Sequence, residues 1–196
     1  MLVEQSSEDQ AVASFTVSGR FEYHDKDCDQ NGLIGTFTDH PIRYANVEIW
    51  EDDALFNNLL GTTSTAADGT WSFVVLDNND PSGRDIYVKV IADTAAGTVT
   101  NADLITSPYA YEGPTVSNWQ GGAMWYDASP LDGSNQTVRP STDEHNAAFN
   151  ILDQLIRSYQ YLDNLGENPG HVSAQYRIGI DGTNYDGSID TIHIQG

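Results

Sequence analysis

The sequence predicts a mainly β fold: an antiparallel β-sandwich followed by a small α+β unit of one long helix plus a β-hairpin. Three observations carry this. Short runs of alternating apolar and polar residues recur between 15 and 100, separated by Gly, Asn and Asp. The period then changes to helical from Ser141 onward, and two further apolar-alternating runs close the chain.

Within 15–23, Phe15, Val17 and Phe21 alternate with polar residues; within 43–50, Ala45, Val47 and Ile49 share a face. Trp71, Phe73 and Val75, then Ile86, Val88 and Val90, repeat the pattern, with turns expected at Asp68-Gly69 and over 78–83. That spacing suits two packed antiparallel sheets. Residues 101–140 are rich in Ser, Pro, Gly, Asn and Tyr and read as a long connection holding one or two strands. Ser141-Thr142-Asp143-Glu144 forms a capping box, and Ala148, Ile151, Leu152, Leu155, Ile156, Tyr159 and Leu162 place a helix over 142–164, stopped at Gly166. The hairpin is expected from strands 172–180 and 188–195 around a turn at 181–187. The divisions are thus a polar arm (1–14), the sandwich (15–100), the connection (101–140) and the helix-hairpin unit (141–196).

Eight basic against 29 acidic residues give a net charge of -21, which repels nucleic acid and anionic membrane and favours cations or basic partners. With only 19% charged residues, the acidity comes from a shortage of Lys and Arg, a composition suited to a secreted or salt-exposed surface. No apolar run reaches the ~20 residues of a membrane span, so no membrane insertion is expected. The polar start has no apolar signal core, so an export signal is expected to have been removed or to lie outside these residues. The single Cys28 cannot form an internal disulfide.

Val17-Ser18-Gly19-Arg20, Pro41-Ile42-Arg43-Tyr44-Ala45-Asn46-Val47-Glu48-Ile49-Trp50 and Thr65-Ala66-Ala67-Asp68-Gly69-Thr70-Trp71-Ser72-Phe73 follow in order. Together they resemble the transthyretin-like, carboxypeptidase-regulatory-like β-sandwich, an Ig-like architecture of secreted multidomain proteins. The stretch 146–196, with Ala148-Phe149-Asn150-Ile151 and Ile192-His193-Ile194, looks like the lead-in to a secreted zincin metallopeptidase. It departs from that family where activity is decided. His24, His40, His145, His171 and His193 stand singly, and no His-Glu-x-x-His is present to hold zinc and activate its water. No enzyme activity is expected.

In Asp25-Lys26-Asp27-Cys28-Asp29-Gln30-Asn31-Gly32, the oxygen donors Asp25, Asp27, Asp29 and Asn31 alternate before a glycine, a pattern that can wrap Ca²⁺. The twelfth position is Thr36 rather than a bidentate Glu, and the competing reading is a solvated acidic hairpin loop. Tyr109, Tyr111, Trp119, Trp125 and Tyr126 suit core or subunit packing better than a glycan platform. Asn135-Gln136-Thr137 is a glycosylation sequon. The lysines Lys26 and Lys89 are the only ones available for an internal Lys–Asn bond, and Lys89 is expected to face solvent.

The function these features favour is a non-catalytic extracellular structural subunit that assembles with copies of itself into a fibre or sheath. The arm Gln10, Ala11, Val12, Ala13, Ser14, Phe15, Thr16 and Val17 is the expected donor strand. The alternatives are the non-catalytic regulatory or targeting portion of a secreted zinc metallopeptidase, and a carbohydrate or surface-binding module.

Overall fold

The computed structural model describes residues 14–51, 56–76, 84–101, 107–112, 125–128, 135–138, 143–177, 183–187 and 191–195. In chain order the elements are β1 (Ser14–Asp29), β2 (Gly32–Pro41), β3 (Asn46–Glu51), β4 (Asn58–Ser64), β5 (Thr70–Leu76), β6 (Arg84–Ile91) and β7 (Gly97–Asn101). There follow β8 (Ala110–Glu112), β9 (Trp125–Ala128), β10 (Asn135–Val138), helix α1 (Asp143–Asn164), β11 (Val172–Arg177), β12 (Asn184–Asp186) and β13 (Thr191–Gln195). The chain is mainly β, largely in antiparallel sheets, with one long helix. The turn at 78–83 and the capping-box residues Ser141 and Thr142 lie outside the described residues.

The first sheet is built on β1, whose opening half pairs antiparallel with β5 and parallel with β10, while its far half pairs with β2. The second sheet runs β4-β3-β6-β8, with β9 also on β6. Val17, Phe21, Trp71 and Val75 of the first sheet and Val47, Ile49, Val88 and Val90 of the second belong to one buried cluster. The alternation read from the sequence therefore marks the inward faces. Gly69 has φ 81°, and a Cβ there would lie 2.5 Å from the Phe21 carbonyl oxygen, so the Asp68-Gly69 turn requires glycine. Asp68 Oδ1 accepts from Thr70 N (3.1 Å) and Oγ1 (2.6 Å). Those bonds, the side-chain one first, hold its carboxyl below the usual range.

Helix α1 contributes Ala148, Phe149, Leu152 and Ile156 to the same core, and β11 adds Ala174 and Tyr176. The helix closes as the sequence predicts: Glu167 N donates to Leu162 O (3.1 Å) and Gly166 N to Asp163 O (2.9 Å), with Gly166 at φ 80°. This is the Schellman pattern.

The acidic stretch runs as one arm of a hairpin, with β1 extended through Asp29 and turning at Gln30 and Asn31 into β2. Two expectations need correction. Among the described residues the connection 101–140 carries three strands, β8, β9 and β10, rather than one or two. The closing pair is not a hairpin: β11 and β13 run parallel, Ala174 opposite Ile192, and β11 is also parallel to β7. Parallel neighbours need a long crossover, which α1 provides between β7 and β11. The expected turn 181–187 itself holds β12, and the antiparallel partner of β13 is β12, Tyr185 opposite Ile192.

Candidate assembly surface

Strand β5 reads Thr-Trp-Ser-Phe-Val-Val-Leu, with no charge, Pro or Gly. Trp71 and Val75 are buried, whereas Ser72 is exposed and Val74 and Leu76 are 56% and 62% exposed. Along one side β5 pairs with β1, Ser14 opposite Leu76 through Arg20 opposite Thr70. Among the described residues no second strand pairs with it between Ser72 and Val75. An uncharged β-prone run at a sheet edge is a template for another strand, and the usual protections, a Lys, a Pro or a bulge, are missing from it. The sequence already contained this signal. The alternation of Trp71, Phe73 and Val75 marks β5 only as a core strand, because the pairing that makes it an edge is not local.

Of the expected donor arm, Gln10, Ala11, Val12 and Ala13 lie outside the described residues. Ser14, Phe15, Thr16 and Val17 open β1 and are paired to β5 of their own chain, where Val17 is fully buried. These four are therefore part of the subunit's own sandwich.

The candidate calcium ligands are placed along the β1–β2 hairpin. Asp25 is opposite Thr38 and Asp29 opposite Gly32, with a bulge between Lys26 and Cys28. The Asp25 carboxylate accepts from Asn150 Nδ2 of α1, and His24 N donates to Asn146 Oδ1 at 2.7 Å, so the helix grips this hairpin. The side chains of Asp27 and Asp29 lie outside the described residues; Asn31 is exposed at the turn. Among the described residues no three His, Cys, Asp or Glu side chains gather to hold a metal.

The histidines are dispersed, as their spacing implies. His24 Nδ1 meets Asp39 Oδ1 at 2.7 Å and its ring stacks on Phe37; His40 Nε2 meets Thr38 Oγ1 at 2.8 Å. His145 packs edge-on to Tyr109 and Tyr111, and His171 Nε2 meets Thr98 Oγ1 at 2.9 Å. His193 sits in β13 opposite Gln175.

Tyr109 is buried and donates to Glu144 Oε1 at 2.7 Å, and Tyr111 packs against the core. Trp119 lies outside the described residues, as do the side chains of Trp125 and Tyr126 in β9. Asn135 opens β10 opposite Ser18. Lys89 is only 24% exposed rather than solvated: it pairs with Glu112 at 2.8 Å and lies over the Trp50 ring, 5.0 Å from its centroid. Burial lowers its pKa, but the hydrogen bond and charge of Glu112, with Tyr87 and Glu48, outweigh that and leave it raised.

One buried polar cluster was not legible in the sequence. Asp153 of α1 accepts from Arg43 Nε (2.6 Å) and Arg157 Nε (2.8 Å), and the buried Tyr23 lies within range of its charge. Burial, reinforced by the Asp153 charge, pushes the Tyr23 phenol well above its ordinary value. The arrangement ties helix to sandwich.

No protein-family model matches this chain, and no curated protein does. Among solved structures, a 9R-lipoxygenase from Cyanothece PCC8801 aligns over 71% of this chain and 18% of its own, at 14% identity and a TM-score of 0.35. The chain thus spans under a fifth of that enzyme's length. No family follows from these comparisons. No helix among the described residues is long and apolar enough to cross a membrane.

Proposed function

We propose that this protein is a non-catalytic extracellular structural subunit that joins copies of itself by β-strand addition, with the edge of β5 as the acceptor. The observation that carries the reading is this uncharged edge strand with Val74 and Leu76 turned outward. Main-chain hydrogen bonds along Ser72–Val75 supply affinity, and the outward apolar side chains supply contact area. A head-to-tail contact of this kind leaves one edge open at each end and propagates. The residues preceding Ser14 are the donor in this scheme, since Ser14 to Val17 are already committed to the subunit's own sheet. The high negative charge favours solubility of the unassembled chain.

The test is sedimentation velocity of the purified chain, with electron microscopy of any fast species. Ordered assemblies are expected, and they should disappear in Ser72→Lys/Val74→Lys, which charges the edge without touching the buried residues. A 21.5 kDa monomer at every concentration, or assemblies that persist in the charged variant, would overturn the proposal.

A further inference from the structure

We infer that a cleft beside the C-terminal end of α1 binds a primary ammonium group carried on an alkyl stem. The cleft has a volume of about 370 Å³, at the small end for ligand sites, and is independent of the β5 edge. Ala95, Ala96 and Ile156 supply apolar lining, and Tyr44, Tyr159 and Asp163 supply the aromatic and charged groups.

Four observations point to this ligand chemistry. First, Tyr44 has φ 55°, a left-handed backbone that is disfavoured for a non-glycine residue. The strain is held in place from both sides: Tyr44 N donates to Thr65 O (3.1 Å), Ala45 N to Thr65 Oγ1 (2.9 Å) and Thr65 N to Ala45 O (2.9 Å). A tyrosine kept where glycine would be easier is placed for its side chain. Second, the apolar lining is rigid: Thr94 Oγ1 accepts from Ala96 N (3.1 Å) and Gly97 N (3.3 Å), so this turn is preorganised and its hydroxyl is occupied.

Third, the charged side chain among the described lining residues, Asp163, is negative. The last turn of α1 contains no basic residue, so the negative end of its dipole is left with Asp163 beside it rather than a Lys or Arg. Among the described residues none that lines the cleft is basic, and the whole chain carries -21. An anion is repelled here and a cation drawn in. Fourth, tyrosine ring faces attract an ammonium, and a methylene stem fits the alanines and isoleucine. A free polyamine and the lysine side chain of another protein share this chemistry.

The experiment is an NMR titration of the full chain at low salt with n-pentylammonium, using pentan-1-ol and pentanoate as neutral and anionic isosteres. Shifts confined to Tyr44, Ala95, Ala96 and 156–163 are expected for the ammonium, weakening as salt rises. Asp163→Asn and Tyr44→Gly should each weaken binding about two- to fivefold. Tyr44→Gly relieves the backbone strain as it removes the ring, so loss of binding in a fully folded variant cannot be assigned to unfolding. Pentane-1,5-diamine then stands for a free polyamine and Nα-acetyl-lysine amide for a protein side chain; saturation by either supports the assignment, and the tighter one names the source. Equal binding of pentan-1-ol, unchanged affinity in both variants, or no shift at the cleft would overturn it.

Discussion

Replacing Asp153 by alanine removes the acceptor that joins α1 to the sandwich. The Asp153 side chain is 5% exposed and that of Arg43 19%, so the substitution leaves a guanidinium buried without its counter-charge. Breaking a buried pair by removing one partner costs about 3–5 kcal/mol. For a chain of this size each kcal/mol lowers Tm by about 2–4 °C, so a fall of about 6–20 °C is expected. Arg157 also bonds Asp153, but its side chain is 58% exposed, and water screens it. Arg157→Ala should cost only about 0.3–0.5 kcal/mol. The assay is urea unfolding followed by far-ultraviolet circular dichroism, with the midpoint read at unchanged m-value. Removing both charges in Asp153→Leu/Arg43→Met should recover most of the loss, because an apolar pair carries no desolvation cost. If Asp153→Ala costs no more than Arg157→Ala, the cluster is not a buried tie and the reasoning fails.

Four further outcomes are expected. Gly97→Ala should destabilise by about 1–3 kcal/mol, since its Cβ would lie 2.4 Å from the Val172 carbonyl oxygen, whereas Gly170→Ala, with nothing within 4 Å, should be neutral or slightly stabilising; thermal melts of the pair check this. Tyr23 has a folded-state pKa raised above its ordinary 10.0, so its contribution is fully present below pH 10 and is lost as pH rises beyond it. Melting from pH 8 to 12 should show that loss, and Tyr23→Phe should remove that part of the slope. Salt should raise Tm, because shortening the Debye length from about 10 Å to 3 Å between 0.1 M and 1 M relieves the repulsion of 21 net negative charges; a falling Tm would mean that attractive pairs dominate instead. Calcium should leave Tm unchanged, because β1 is extended through Asp29; a rise abolished by chelator and by Asp27→Asn would restore the candidate ligand set.

Local rules made the sandwich strands and the helix legible. Alternation identified Val17, Val47, Ile49, Trp71, Val75, Val88 and Val90 as inward residues, and the glycine stop placed the helix end within its Schellman turn. Pairing between distant segments was not legible. The hairpin β1–β2 is legible only as an acidic turn, because the polar run Asp25 to Asn31 has turn-forming composition; the extension of β1 to Asp29 is fixed by β2 and by Asn150 of the helix. Proximity in sequence suggests a hairpin for the last two apolar runs, yet β11 lies between β7 and β13, all three parallel. Periodicity gives the face of a strand but not its neighbour.

The same limit explains why function was harder to read than fold. The edge character of β5 depends on which side of it β1 occupies, and the cleft depends on a turn at 94–97 meeting a helix some sixty residues later. Only the residue types were visible in advance: an uncharged Thr70 to Leu76, and a helix whose last turn has Asp163 where a base would be favourable. Each is a local choice that lowers stability or solubility when judged alone. An unprotected edge invites association, an acid at a helix C-terminus opposes the dipole, and Tyr44 sits in a backbone well suited to glycine. Where a sequence breaks its own local rules at exposed positions, a partner or ligand is the physical reason to test first.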